Sequence, residues 1–145
     1  MVKVDNFELK EDLYYWTKTS TWGKIEPDGN MKIGITDVGV ATIRTGILEI
    51  RPKQVGTMVK QGEQIVIIRL PKAINPIESP ISGTILKINS EVQQKPQLIK
   101  DKPYESWIIL IKPANLEGDL KNLLKGDDPK ALDWYIKEVN MKIKK

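Results

Sequence analysis

The segment from Gln64 to Ile88 most constrains how this chain can fold. It holds two short apolar runs, residues 65–70 and 83–88, separated by Pro71, Pro76 and Pro80. The first run is rich in β-branched residues and lies between a glycine upstream and Pro71 downstream, which predicts a buried strand. The second, Gly-Thr-Ile-Leu-Lys-Ile, alternates as a half-buried strand does. A proline has no N–H to give a helix, and its ring clashes with the preceding turn. Residues 71–82 are therefore expected to turn. Lys72 falls directly after the first proline, at the turn tip. Position alone does not single it out, since a loop lysine is ordinarily a solvated side chain.

Strand and turn signals continue on both sides. Residues 1–12 are polar and read as an N-terminal extension, with Phe7 and Leu9 as its anchors. Residues 13–17 and 22–25 have strand propensity. Pro27-Asp28-Gly29-Asn30 marks a turn before a strand over 31–35, because proline presets the first turn dihedral and glycine tolerates positive φ. Thr36 and Asp37 can cap a short helix through Ile43. Residues 46–51 alternate and stop at Pro52, as an edge strand can, and Gly56 and Gly62 bracket a small turn. Asn89 and Ser90 offer a cap for a helix that Pro96 ends.

The C-terminal segment starts as a helix should, with Asp127 and Asp128 before Pro129 at the first helical position. Leu132, Ile136, Val139 and Ile143 then fall at helical spacing and predict an apolar stripe packed on the domain's own sheet. A partner-facing role for that stripe, with Trp134 and Tyr135 beside it, is the alternative. The sum is a mainly β fold. Two small antiparallel sheets are expected as a flattened barrel or sandwich, with short helices near 37–43, 90–95 and 114–125 and a longer C-terminal helix.

Composition narrows the chemistry. With 145 residues, 40% of them hydrophobic, the chain suits one globular domain. Cysteine and histidine are both absent, which removes disulfides, thiolate metal sites, cysteine nucleophiles and the commonest general base. No nucleophile elbow, phosphate loop or metal-ligand spacing is present, so no catalytic and no metal residue is expected. Any redox or acyl chemistry has to be brought in by a group from outside. The net charge of +4 comes from 23 basic residues interspersed with 19 acidic ones, and only Lys142-Ile-Lys-Lys145 clusters. That reads as a solvated helix end, and nucleic acid is not an expected partner. No apolar run is long enough to cross a bilayer and the first residues lack a secretory apolar segment, so a soluble cytoplasmic protein is expected.

At the central segment a specific resemblance appears. It resembles the lipoyl-lysine hairpin of the glycine cleavage system H protein, in which a lysine followed by alanine lies eleven residues before the glycine of a Pro-x-Ser-Gly element. Here the lysine and alanine are Lys72 and Ala73, and the element is Pro80-Ile81-Ser82-Gly83 at the same spacing. Trp16 to Trp22, Gly34-Ile35-Thr36-Asp37, Asn89, Pro96-Gln97-Leu98, Pro103-Tyr104 and Trp107 with its strand ending in Lys112-Pro113 follow the family order. The agreement runs from about Leu13 to about Leu124.

The resemblance implies a lipoyl-domain-like, hammerhead fold over residues 13–125, preceded by the extension 1–12 and followed by a C-terminal helix over 126–145. It implies lipoic acid in amide linkage to Lys72, attached by a lipoate ligase or lipoyl transferase, on a carrier that is not itself an enzyme. The implied partners are glycine decarboxylase, aminomethyltransferase and dihydrolipoyl dehydrogenase, served by a monomer that carries an aminomethyl group. Such a carrier needs a lysine on a rigid turn, because its task is to position a flexible arm whose sulfur chemistry belongs to the cofactor.

The tip departs from the family pattern. Arg69, Leu70 and Pro71 stand where glutamate, serine and a small apolar residue are usual, Ser20 replaces a histidine, and a glycine is missing around Arg44. These departures leave room for an H-like lipoate-binding protein serving a sulfur-oxidising heterodisulfide-reductase-like complex. They also leave room for an interaction domain that has lost lipoylation. A biotinyl carrier ranks below both, since its lysine typically sits between methionines and Leu70-Pro-Lys-Ala-Ile74 has none.

Overall fold

The computed structural model describes residues 1–144. It opens on a hairpin, β1 (Val2–Val4) and β2 (Phe7–Leu9), turned at Asp5 with a φ of 55°. There follow β3 (Tyr14–Trp16), a 3-10 turn at Thr17–Thr19, β4 (Thr21–Ile25), β5 (Met31–Ile35) and α1 (Asp37–Ala41). The middle of the chain is β6 (Glu49–Pro52), β7 (Met58–Val59), β8 (Gln64–Leu70), β9 (Ala73–Glu78) and β10 (Gly83–Ile88). Short helices α2 (Ser90–Gln94) and α3 (Leu98–Asp101) lead to β11 (Ile109–Pro113). α4 (Leu116–Leu120), β12 (Leu124–Lys125) and the long α5 (Pro129–Lys142) close the fold.

The strands pair antiparallel throughout, in a seven-stranded sheet ordered β12-β3-β4-β5-β11-β10-β7, a three-stranded sheet ordered β6-β8-β9, and the β1-β2 hairpin. Successive strand residues face opposite sides, so each strand contributes alternate residues to the interior. Met31, Ile33 and Ile35 of β5 join Ile109 and Ile111 of β11 and Ile85 of β10 on one face of the large sheet. Ile50, Val66, Ile68 and Ile77 oppose them from the small sheet, and the main core lies between. Each fully buried isoleucine contributes about 1.5–3 kcal/mol relative to exposure. The mainly β architecture with short helices and a C-terminal helix agrees with the sequence reading.

A second core lies on the other face of the large sheet. Leu9, Leu13, Tyr15, Trp22, Val38, Ala131, Tyr135 and Val139 meet there, joining the N-terminal hairpin, α1 and α5. Its polar centre is Asp37. One carboxylate oxygen accepts from Glu8 N at 2.7 Å and the other from Val38 N at 2.8 Å and from the Tyr135 hydroxyl. Tyr104 donates its hydroxyl to Glu8 O at 2.7 Å.

Several elements differ from expectation. Within residues 1–12, whose order the sequence leaves open, Val2–Leu9 form a hairpin with Leu9 fully buried. The proline-punctuated stretch contains the strand β9, with Pro76 paired to Ile67. Among the described residues β9 has β8 as its only ladder partner, and an edge position tolerates a residue that lacks an N–H. Residues 114–125 divide into α4 and β12. The buried stripe of α5 is Ala131, Tyr135 and Val139, while Ile136 is exposed. The large residue Tyr135 takes the inward position because its hydroxyl has Asp37 to bond.

Candidate functional site

The β8-β9 ladder runs to Leu70 opposite Ala73, leaving Pro71 and Lys72 as a two-residue loop. Neither loop residue has positive φ, so the turn is not one of the primed hairpin types, and Pro71 presets the first dihedral. Pro71, Lys72, Ala73 and Ile74 are all exposed. No ion pair among the described residues engages the Lys72 ammonium. The amine is thus open to solvent, with a small neighbour in Ala73.

The other end of the hairpin is anchored. Ser79 N donates to Glu63 O and Gly62 N to Ser79 O, both at 2.8 Å. Trp16 Nε1 donates to Glu78 Oε1 at 2.9 Å. In the Pro80-Ile-Ser-Gly83 element, Ser82 N donates to Asp119 Oδ2 at 2.7 Å and Ser82 Oγ accepts from Gln61 N at 2.9 Å. Gly83 permits a close approach of β10 to β11: a Cβ there would lie 2.1 Å from Lys112 O. A fixed base and an open tip are what a lysine presenter requires.

The residues that depart from the family pattern have defined surroundings. Arg69 lies across the sheet from Glu49 and bonds its carboxylate at 2.9 Å, while Arg51 bonds the same oxygen at 3.1 Å. The bond from Arg69, then that from Arg51, holds the Glu49 carboxyl below the usual carboxylate range. The arginine at the tip is therefore partly neutralised, and two guanidiniums share one carboxylate. Ser20 adopts a left-handed conformation with φ 51° and shares a hydrogen bond of 2.5 Å with the Thr36 hydroxyl. Arg44 is exposed.

A polar groove of about 280 Å³ runs along β9, lined by Ser20 together with Lys18, Thr19, Thr42, Asn75 and Lys142 among others. Sequence spacing had not joined these residues. Only the fold brings Lys142, near the end of α5, beside Asn75 of the tip strand. Among the described residues no group of three or more acidic side chains is placed to hold a metal ion.

These features define a class: a small antiparallel β domain that presents one lysine at the tip of an anchored hairpin. The family model described as glycine cleavage H-protein matches residues 13–142, and the chain belongs to that family. A probable glycine cleavage system H protein of Pyrococcus furiosus is 35% identical over 137 residues, covering 94% of this chain and 98% of its own. Glycine cleavage system H protein 2 of Aquifex aeolicus is 38% identical over 122 residues, covering 83% of this chain and 74% of its own. Among solved structures, that of a glycine cleavage system H protein from Mycobacterium marinum superposes with a TM-score of 0.63 at 27% identity, covering 72% of this chain and 86% of the other. The family resemblance seen around Lys72 is thereby established over most of the chain.

Proposed function

We propose that this chain is a lipoyl carrier of the glycine cleavage system, with lipoic acid in amide linkage to Lys72. The observation that carries the reading is the exposed, unpaired Lys72 at the tip of a hairpin whose base is fixed, in a chain of the H-protein family. The residues fit the group, since the amine is accessible and nothing around it competes for its charge. When bound, lipoic acid supplies a dithiol–disulfide pair on a long arm, which this cysteine-free chain cannot provide itself. The chain's own part is positional. Pro71 stiffens the loop, the β8-β9 ladder holds the attachment point, and the anchored base keeps it from wandering. Amide formation also removes the Lys72 charge, leaving Arg69 and Arg51 with Glu49 as the charged groups flanking the tip.

On this reading a lipoate ligase or lipoyl transferase modifies Lys72. The carrier then serves glycine decarboxylase, aminomethyltransferase and dihydrolipoyl dehydrogenase in the cytoplasm, and performs no catalysis itself. The test is reconstitution. Lipoylated protein is expected to support glycine-dependent CO2 release with glycine decarboxylase of the same host, and Lys72→Arg, which keeps the charge but cannot be lipoylated, is expected to abolish it. Absence of turnover with fully lipoylated wild type would overturn the assignment to glycine cleavage.

A second reading rests on the tip sequence Arg69-Leu70-Pro71. It keeps the lipoyl arm on Lys72 and assigns the carrier to a heterodisulfide-reductase-like complex of sulfur oxidation. Turnover with that complex, in place of glycine decarboxylation, would select it.

A further inference from the structure

We propose that the part of the large sheet's outer face left open beside the second core, built around Lys24, Lys32, Lys87 and Lys112, docks this chain to an acidic, partly apolar surface of a partner protein. The proposal rests on the carrier reading, in which the chain must bind separate enzymes while the hairpin tip stays free to present its arm. Register assembles the face. Directly paired residues in a ladder share a side of the sheet, and Lys24 pairs with Lys32, Lys32 with Leu110, and Leu110 with Lys87. One step along β11, Lys112 pairs with Thr84, and Thr84 pairs with Met58 of the edge strand β7. The opposite side of these same strands holds Ile33, Ile85, Ile109 and Ile111 in the main core, so the lysine side points away from the sheet that carries Lys72.

A bulge in β10 shapes the face further. Between Ile85 and Lys87 the register slips, so that both Leu86 and Lys87 stand opposite Leu110. Ile85 and Ile88 thereby both pair with interior residues, while Leu86 and Lys87 are both exposed. The result is a patch in which apolar Met58, 67% exposed, and exposed Leu86 lie among lysines.

Most of the charge on this face is unpaired within the fold. Lys24 and Lys32 are directly opposed, an arrangement that destabilises a sheet. Lys32 is answered by Glu26 at 3.0 Å, but Lys24, Lys87 and Lys112 have no ion-pair partner among the described residues. A partner with clustered carboxylates around an apolar centre relieves that repulsion and covers Met58 and Leu86. The charges are lysines without arginine, and the indole of Trp107 is covered by the Lys32 ammonium, 5.4 Å from its centroid, so the face offers no open stacking platform for RNA bases. The apolar stripe of α5 is already buried in the second core, so among the described residues no amphipathic helix has an apolar face free to enter a bilayer, which favours a protein over an anionic membrane.

The test uses the full-length lipoylated protein and each of the host's three glycine cleavage enzymes in turn. Amide shifts are mapped by NMR and affinity is measured at low and physiological salt, for wild type and for K24E/K112E, whose sites are exposed and unpaired. Expected are perturbations across β4, β5, β10 and β11, with affinity about ten-fold weaker and salt dependence flatter in the variant while its circular dichroism is unchanged. Binding that perturbs only the Lys72 hairpin and is equal in the variant would overturn the docking face and leave the carrier reading standing. Binding to none of the three enzymes would remove the glycine cleavage assignment and this proposal with it. Tighter association with anionic vesicles or single-stranded RNA at the same salt would overturn the assignment to a protein partner.

Discussion

Individual residues of this chain divide into those that hold the hairpin and the one that it presents. Lys72 makes no contact on which the fold depends, whereas Gly83, eleven positions later, is indispensable to the ladder. Gly83→Ala would place a methyl group against the backbone oxygen of Lys112, which can yield only by parting β10 from β11. The expected cost is about 1–3 kcal/mol, read as a lowered midpoint in urea denaturation. A midpoint equal to wild type would show that the sheet absorbs the methyl group. Lys72 is singled out as the candidate site by its spacing to Gly83 together with the family resemblance, and by nothing else. Its physical signature, an exposed amine without a counter-ion, belongs to many lysines. Arg69 shows the converse limit: its cross-strand partner Glu49 is twenty residues away, and only strand pairing reveals that its charge is answered.

At the scale of elements, the strands with clean period-two alternation were readable. β5 and β10 fall on the predicted residues, and the Thr36 cap of α1 is present, its hydroxyl accepting from Gly39 N at 3.0 Å. β9 was not readable, because prolines that announce turns are equally allowed on an edge strand, and edges are decided by the rest of the sheet. β12 has two residues and exists through its pairing with β3. The face of α5 was misplaced for a similar reason. Hydrophobicity favoured Ile136, while the Asp37 carboxylate, nearly a hundred residues earlier, draws Tyr135 inward. Tyr135→Phe removes that donor and leaves the half-buried Asp37 with fewer partners. A loss of about 1–3 kcal/mol is expected in chemical denaturation, with the N-terminal hairpin and α5 losing amide-exchange protection together. Protection lost from α5 alone would show that the two elements are not joined through Asp37.

For the whole molecule, the three tyrosines gathered in the second core imply a defined response to alkali. Burial pushes the phenols of Tyr15, Tyr104 and Tyr135 well above the ordinary tyrosine range, and the negative charge of Asp37 adds to the effect. A raised native pKa means stability that is fully present below the unfolded value, about pH 10, and is lost as pH rises beyond it. The limiting slope is about 1.4 kcal/mol per tyrosine per pH unit. Unfolding midpoints are therefore expected to be insensitive to these groups below pH 9 and to fall steeply above pH 10. A flat profile to pH 12 would show the three hydroxyls to be open to solvent.

On the carrier reading, the anchored hairpin on one sheet and the lysine face on the other are separate places for the arm and for docking. The arm is the decisive part, and it is tested by the intact mass of the protein isolated from its native host, with peptide mapping across Lys72. A mass increase equal to one lipoyl group, located on the Lys72 peptide, is the predicted result. An unmodified Lys72 in cells whose other lipoyl proteins are fully modified would contradict it, and would leave a fold kept for binding alone.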